Sequence, residues 1–227
     1  MNFLQMAQRV RQEAGGIAGS ATAPSNVTTQ IGQLKKIVDW VNDSWRDLQL
    51  KRSDWLWKRK PFTLALTASL NDYTAADASV TDLGEWDDES MRIYRTAAGV
   101  GDESYLSRME YSVWRDVWDF GVKTPSRPNV VTIKPDLHLG FGSVPNDSFT
   151  VTGEYLQATQ ALVIDTDEPD GLPEEFHMII VYRALKKYSI DEAAPELYAA
   201  YRDDAMRMES HLERKQLPRW RTGGPLA

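Results

Sequence analysis

The chain has 227 residues, is 42% hydrophobic and 26% charged, and carries a formal net charge of −7. That length suits one large domain or two small subdomains with a real core, and the acidic balance excludes a typical basic nucleic-acid binder. Cysteine is absent, which removes disulfides, a thiol nucleophile and a cysteine zinc site and suits assembly in a reducing cytoplasm.

The opening stretch MNFLQMAQRVRQEAGG lacks the basic region and continuous apolar core of a signal peptide. No stretch approaches the roughly 18 apolar residues of a membrane span. Phe3, Met6, Ala7, Val10 and Ala14 share one helical face, so a short amphipathic helix is predicted over residues 2–14, ended by Gly15 and Gly16. Residues 17–27 read as a loop. A second helix is predicted from Thr28 or Thr29, either of which could cap it. Its apolar stripe is Ile31, Leu34, Val38, Val41, Trp45 and Leu48.

The period changes at Lys60–Pro61. Phe62, Leu64 and Leu66 alternate with Thr63, Ala65 and Thr67, which is strand spacing. The acidic stretch SLNDYTAADASVTDLGEWDDES reads as turns, and its carboxylates Glu85, Asp87, Asp88 and Glu89 as a solvated loop. A strand is expected over 91–97. A local helix should carry Tyr111, Trp114 and Trp118 and stop at Gly121. Three strands follow in NVVTIK, DLHLGFG and DSFTVTGEYLQA. The SVPND turn predicts a hairpin of the last two. Leu137, Leu139 and Phe141 are placed on one face, as are Phe149, Val151, Gly153 and Tyr155.

Helices return at DGLPEEFHMIIVYRALKKYSI. Pro173, Glu174 and Glu175 suit a helix start, and Lys186 and Lys187 suit its end. Asp191 is expected to cap a last helix, with the stripe Leu197, Tyr201, Ala205, Met208 and Leu212, continuing to about Gln216. The predicted class is α+β: a four-helix bundle of N- and C-terminal helix pairs, a β-rich insert and an extended tail. Its segments are 1–60, 61–160, 161–217 and 218–227. Val38, Val41, Trp45 and Leu48 should meet Ile179, Ile180, Ala184, Met208 and Leu212 in the bundle core, because each stripe needs a partner.

Catalytic patterns are scarce. His138, His177 and His211 form no HxH or HxxxH pair. G-x-S-x-G, G-x-x-x-x-G-K and G-x-G-x-x-G are missing. Gly140-Phe141-Gly142 reads as a strand-edge feature. Two carboxylates of the 85–89 run could in principle hydrolyse glycosides, but adjacent residues carry no spacing information. No catalytic residue, metal site or cofactor is assigned.

Three stretches carry a resemblance: MNFLQMAQRVRQEAG followed by VDWVNDSW; RPNVVTIKPDLHLGFGSVPNDSFTVTGEYLQATQAL; and DEPDGLPEEFHMIIVYRALKKY with its LP-x-x-F-H lead-in. In this order they resemble the head-to-tail adaptor family of tailed bacteriophages, over Met1 to about Gln216. The resemblance implies a non-enzymatic virion protein in the head–tail neck, assembled in the host cytoplasm. It implies a ring, usually of twelve copies, beneath the portal. Such a ring would extend the DNA channel without reading sequence and offer a surface to the tail or nozzle protein. Twelve chains of −7 would carry about −84, a field that repels phosphates and lets DNA slide. Asp116, Asp119, Asp203 and Asp204 are candidates for the lumen, or for plain solvation. Alternatives are another neck or tail-completion protein, a tail-associated cell-wall hydrolase using the 85–89 carboxylates, or a sugar-binding module.

The end of the chain, LPRWRTGGPLA, is the candidate portal-binding segment. Pro218 stops the helix, and ten residues reach roughly 33 Å at about 3.3 Å each. Trp220 is read as an anchor, and Arg219 and Arg221 as partners for portal carboxylates; the alternative reading is a frayed terminus with Trp220 lying on its own bundle. Leu217, Pro225 and Leu226 supply apolar contacts.

Overall fold

The computed structural model describes residues 1–15 and 23–217. Within them the chain runs α1 (Phe3–Glu13), α2 (Gly32–Leu50), β1 (Arg59–Leu66), β2 (Asp72–Tyr73), β3 (Leu83–Arg95), β4 (Ser104–Tyr105), β5 (Ser107–Arg108), α3 (Tyr111–Trp118), β6 (Val130–Ile133), β7 (Leu139–Gly142), β8 (Phe149–Gln157), α4 (His177–Asp191) and α5 (Pro195–Gln216). The class is mixed α+β, with five helices and two sheets among the described residues. The chain divides into two compact units, one of residues 1–57 and 159–227 and one of residues 58–158.

The first unit holds α1, α2, α4 and α5. The α1 helix starts with a capping box: the Asn2 side chain accepts from the Gln5 N–H, and the Gln5 side chain accepts from the Asn2 N–H. Its other early N–H groups are met by the 165–167 loop, Phe3 N–H by the Asp167 carbonyl at 2.7 Å and Leu4 N–H by that of Asp165 at 3.2 Å. Phe3, Met6, Ala7 and Val10 are buried. They join Ile37, Val41, Trp45 and Leu48 of α2, six residues of α4 that include Ile180, Val181 and Ala184, and Leu212 of α5 in one apolar cluster.

Three indoles close the C-terminal end of α2. Trp45 stacks on Trp57 with centroids 5.3 Å apart. Trp55 donates from Nε1 to the Leu48 carbonyl at 3.1 Å, which also accepts from the Lys51 N–H at 3.3 Å. Gln49 and Gln160 exchange side chain–backbone hydrogen bonds of 2.9 and 2.8 Å. These hold the segment leading to α4 against α2.

Several local expectations are corrected here. The N-cap of α2 is Ile31, with no side-chain cap. Thr29 instead donates to Asn26, so its hydroxyl serves a turn before the helix. Ile31 is 84% exposed and lies outside the stripe. Asp191 ends α4, and Ala194 precedes α5 without a side-chain cap. Pro195, with no N–H to satisfy, starts that helix. Leu197 is exposed, so the buried stripe of α5 begins later, at Ala205.

The second unit holds two four-stranded sheets of order β1-β8-β3-β4 and β2-β7-β6-β5. One apolar cluster takes residues from both, among them Phe62, Leu64, Trp86, Ile93, Phe141, Phe149 and Val151. β8 is central, antiparallel to β1 over its full length and to β3. The expected β7–β8 hairpin does not form. β7 already has β6 on one edge and β2 on the other, so β8 has no edge to take and joins the other sheet. The hairpin is β6–β7, closed by a turn with Leu137 at φ +63, where Lys134 N–H and the His138 carbonyl pair at 2.9 Å. Leu137 is thereby a turn residue, 41% exposed.

The acidic run 85–89 is likewise strand, not loop. It lies within β3, where Trp86 points into the core and its Nε1 donates to the Leu137 carbonyl at 2.7 Å. A register shift between Asp87 and Arg92 bulges the strand and breaks the period-2 pattern that would reveal it.

Candidate functional site

His177 is buried at the start of α4. Its Nε2 donates to the Leu172 carbonyl at 3.1 Å, and Nδ1 accepts from the Met1 amino group at 2.8 Å. Burial, followed by the adjacent Met1 charge, pushes its pKa below the ordinary histidine value, with the Leu172 hydrogen bond opposing. The LP-x-x-F-H stretch therefore fastens the start of α1 to α4.

His138 faces Asp72 at 3.3 Å, and His211 is exposed on α5. Glu85, Asp87, Asp88 and Glu89 form no facing pair across a cleft. Arg59 pairs with Asp87, and Arg108 with Asp88 at 2.9 Å. Burial raises the Asp88 pKa, with Arg108 opposing. No group of three or more His, Cys, Asp or Glu that could hold a metal occurs among the described residues.

The features suited to assembly are surfaces and ends. Leu217 follows α5 with an extended backbone, its N–H donating to the Glu213 carbonyl at 3.0 Å. The other tail residues, Pro218, Arg219, Trp220, Arg221, Pro225 and Leu226, lie outside the described residues. The last turn of α5 is tied down by Lys215, which meets Glu175 at 2.8 Å and lies over the Phe176 ring. One turn earlier the helix is held by ions. Glu209 accepts from Arg183 Nε at 2.6 Å through Oε1, and from Lys51 Nζ at 2.6 Å through Oε2. Lys51 also meets Glu213 at 2.9 Å. Burial alone would raise the Glu209 pKa, but the hydrogen bonds and charges of Arg183 and Lys51 outweigh it and leave it lowered.

Of the residues read as bundle core, Val38, Val41, Trp45, Leu48, Ile179, Ile180 and Leu212 are buried, and Met208 is partly buried against the same cluster. The four acids considered for a channel are each paired locally: Asp116 with Arg115, Asp119 with Lys123, Asp203 with Arg202 and Asp204 with Arg207.

In the second unit α3 is apolar on two faces. Trp114 and Trp118 turn toward β7. A Cβ on Gly140 would lie 3.0 Å from Trp114, and one on Gly142 would lie 2.7 Å from Trp118 Nε1. The two glycines of GFG are thus seats for indole rings. The adjacent face presents Val113 and Val117, each more than half exposed, followed by Phe120 at 82% and Val122 at 100%. Val117, Phe120 and Val122 line one surface groove.

The family model described as SU10 adaptor protein matches residues 1–226. The chain belongs to the SU10 adaptor protein family. It is a phage head-to-tail adaptor-type protein, and so a structural component of the virion. No curated protein matches the chain. Among the described residues of this adaptor, no helix is long and apolar enough to cross a membrane.

Three features of the adaptor escaped the sequence reading. The Glu209 ion cluster had a signal: an acid three residues before Leu212 and four after Ala205, in the middle of the α5 stripe. The indole seats had one as well, since Gly140 and Gly142 are two apart, as same-face strand positions are. The outer face of α3 was visible as Val113 and Val117, four apart on the helix.

Proposed function

We propose that the protein forms a ring, of twelve copies on the family's pattern, which docks beneath the portal, extends the DNA channel and carries the tail or nozzle protein. The family match across nearly the whole chain is the observation that carries this reading. In it, the segments are a four-helix bundle (1–60 and 161–217), a β-rich insert (61–160) and a tail (218–227). The tail is the portal anchor: Trp220 inserts between neighbouring portal subunits while Arg219 and Arg221 pair with portal carboxylates. DNA passes without sequence-specific contact through a lumen of net negative charge. The protein is mainly monomeric until it meets the portal in the host cytoplasm.

Ordering ten residues costs on the order of 10–20 kcal/mol of backbone entropy, so a single tail binds weakly and the ring supplies the avidity. The tail follows directly on α5 in the sequence, and its Trp and Arg residues are types that dominate interfaces, which supports this role. Co-sedimentation with portal rings tests it. The full chain should pellet with the rings. A chain lacking 218–227 should stay folded, with near-normal melting, and remain in the supernatant. Equal pelleting of both would remove the tail as anchor.

A further inference from the structure

We propose that α5 is a latched strap: a helix that opens from the rest of its unit about the Ala193–Ala194 turn, and is kept closed chiefly by the ion cluster at Glu209. The inference is independent of the ring and of the portal.

The helix is long and packs mainly along α4, burying few side chains of its own. Its 22 residues extend roughly 33 Å, yet only Ala205, Glu209 and Leu212 are buried. The 15-residue α4 buries eight. Tyr201 and Met208 add partial apolar contact, and the Tyr201 hydroxyl donates to the Glu13 carbonyl at 3.1 Å. From Pro195 to Ala200 every residue except Tyr198 is exposed. Few apolar side chains of α5 itself lose cover when it opens, which limits its own share of the hydrophobic cost.

The centre of the contact is charged. Glu209 is 9% exposed and sits between Arg183 of α4 and Lys51, the residue that follows α2, at 2.6 Å from each. A carboxylate shared by the buried Arg183 and the one-third exposed Lys51 holds firmly while all three are in place, and the Lys51 side is open to screening by salt. On opening, each charge regains its hydration, so the open state is not penalised as a bared apolar face would be. An ion cluster therefore acts as a switchable fastening, and it weakens with salt as apolar packing does not.

The far end provides the pivot. Ala193 has φ +51, in the left-handed region that a residue with a Cβ adopts at a cost. Ala194 caps nothing with its side chain. The turn is closed by two backbone bonds, Ala193 N–H to the Ile190 carbonyl at 3.2 Å and Ala194 N–H to that of Ser189 at 2.9 Å. A strained two-alanine turn at one end and an ion latch near the other describe a strap that opens whole.

Hydrogen exchange of the full chain, followed by mass spectrometry at about 0.1 and 1 M NaCl, tests this. The amides of α5 should exchange together, faster than those of α2 and α4, and faster still in high salt. Glu209→Gln should raise the α5 opening rate about tenfold or more by leaving the buried Arg183 without a carboxylate, with α2 unchanged. Replacing the buried pair as a whole, Arg183→Met with Glu209→Met, should close the helix at least as well as the ions do and reduce the salt effect, Lys51 keeping its contact to Glu213. Lys215→Gln, which breaks an exposed pair on the same helix, should change α5 by less than about twofold. Exchange of α5 at the same rate as α4, or acceleration of α2 and α4 equal to that of α5 in Glu209→Gln, would overturn the strap. If Glu209→Gln does not fold, a salt response that persists undiminished in the double variant Arg183→Met, Glu209→Met would do the same.

Discussion

Replacing Trp45 by alanine probes the packing of the helical unit most sharply. The indole is fully buried, stacks on Trp57 at 5.3 Å with planes 26° apart, and donates from Nε1 to Gln160 Oε1 at 3.1 Å. A buried tryptophan truncated to alanine costs about 3–5 kcal/mol, combining lost burial with the cavity left behind. The hydrogen bond adds little, because Gln160 Oε1 also accepts from the Asp170 N–H at 2.9 Å and is not orphaned. For a chain of this size each kcal/mol moves the melting temperature by about 2–4 °C, so Trp45→Ala should lower it by roughly 6–20 °C. Trp45→Phe keeps a ring on Trp57 and should recover most of the loss. Thermal unfolding by circular dichroism and by tryptophan fluorescence reads both variants. A shift below about 2 °C for Trp45→Ala would refute the claim that α1, α2 and α4 share a tightly packed core around this residue.

Other outcomes follow from the same structure. Gly142→Ala puts a methyl 2.7–2.8 Å from three atoms of Trp118 and should cost about 1–3 kcal/mol, read as a lower midpoint in urea. Gly171→Ala should be worse, because Gly171 has φ +74 and its added Cβ would meet the Trp57 carbonyl oxygen at 2.5 Å. Acid should destabilise the helical unit. The folded pKa of His177 is below 6.5, so its contribution is whole above that pH and is lost as pH falls through the folded value. Glu209 follows the same sign, whole above 4.5 and lost below as its lowered folded value is crossed. A melting temperature at about pH 5 equal to that at about pH 7.5 would contradict the His177 assignment.

The helices were the legible part of the sequence. The spacing of Phe3, Met6 and Val10, and of Val38, Val41, Trp45 and Leu48, carries their helical stripes directly, because a surface helix must bury one face. β1 and β8 were readable for the matching reason, alternation of Phe62, Leu64 and Leu66 and of Phe149, Val151 and Tyr155. Pairing was not readable, since hydrogen-bond partners depend on which edges are free, and β7 had none left for β8. The 85–89 run was misread because a bulge hid the strand period around Trp86. Caps failed where the chain used none: Ile31 and Ala194 precede their helices without side-chain bonds. The Glu209 cluster gathers residues from three distant stretches, and only the acid within the α5 stripe hinted at it. The proposed portal anchor lies mostly outside the described residues.

The central claim is that this chain closes as a ring under the portal. Cryo-electron microscopy of the purified protein mixed with its own portal ring tests it most directly. The account predicts a second ring of density coaxial with the portal channel, with a segment of each copy, continuous with the end of α5, entering the portal. Portal rings bare of added density at saturating protein, or the protein bound away from the channel axis, would contradict it.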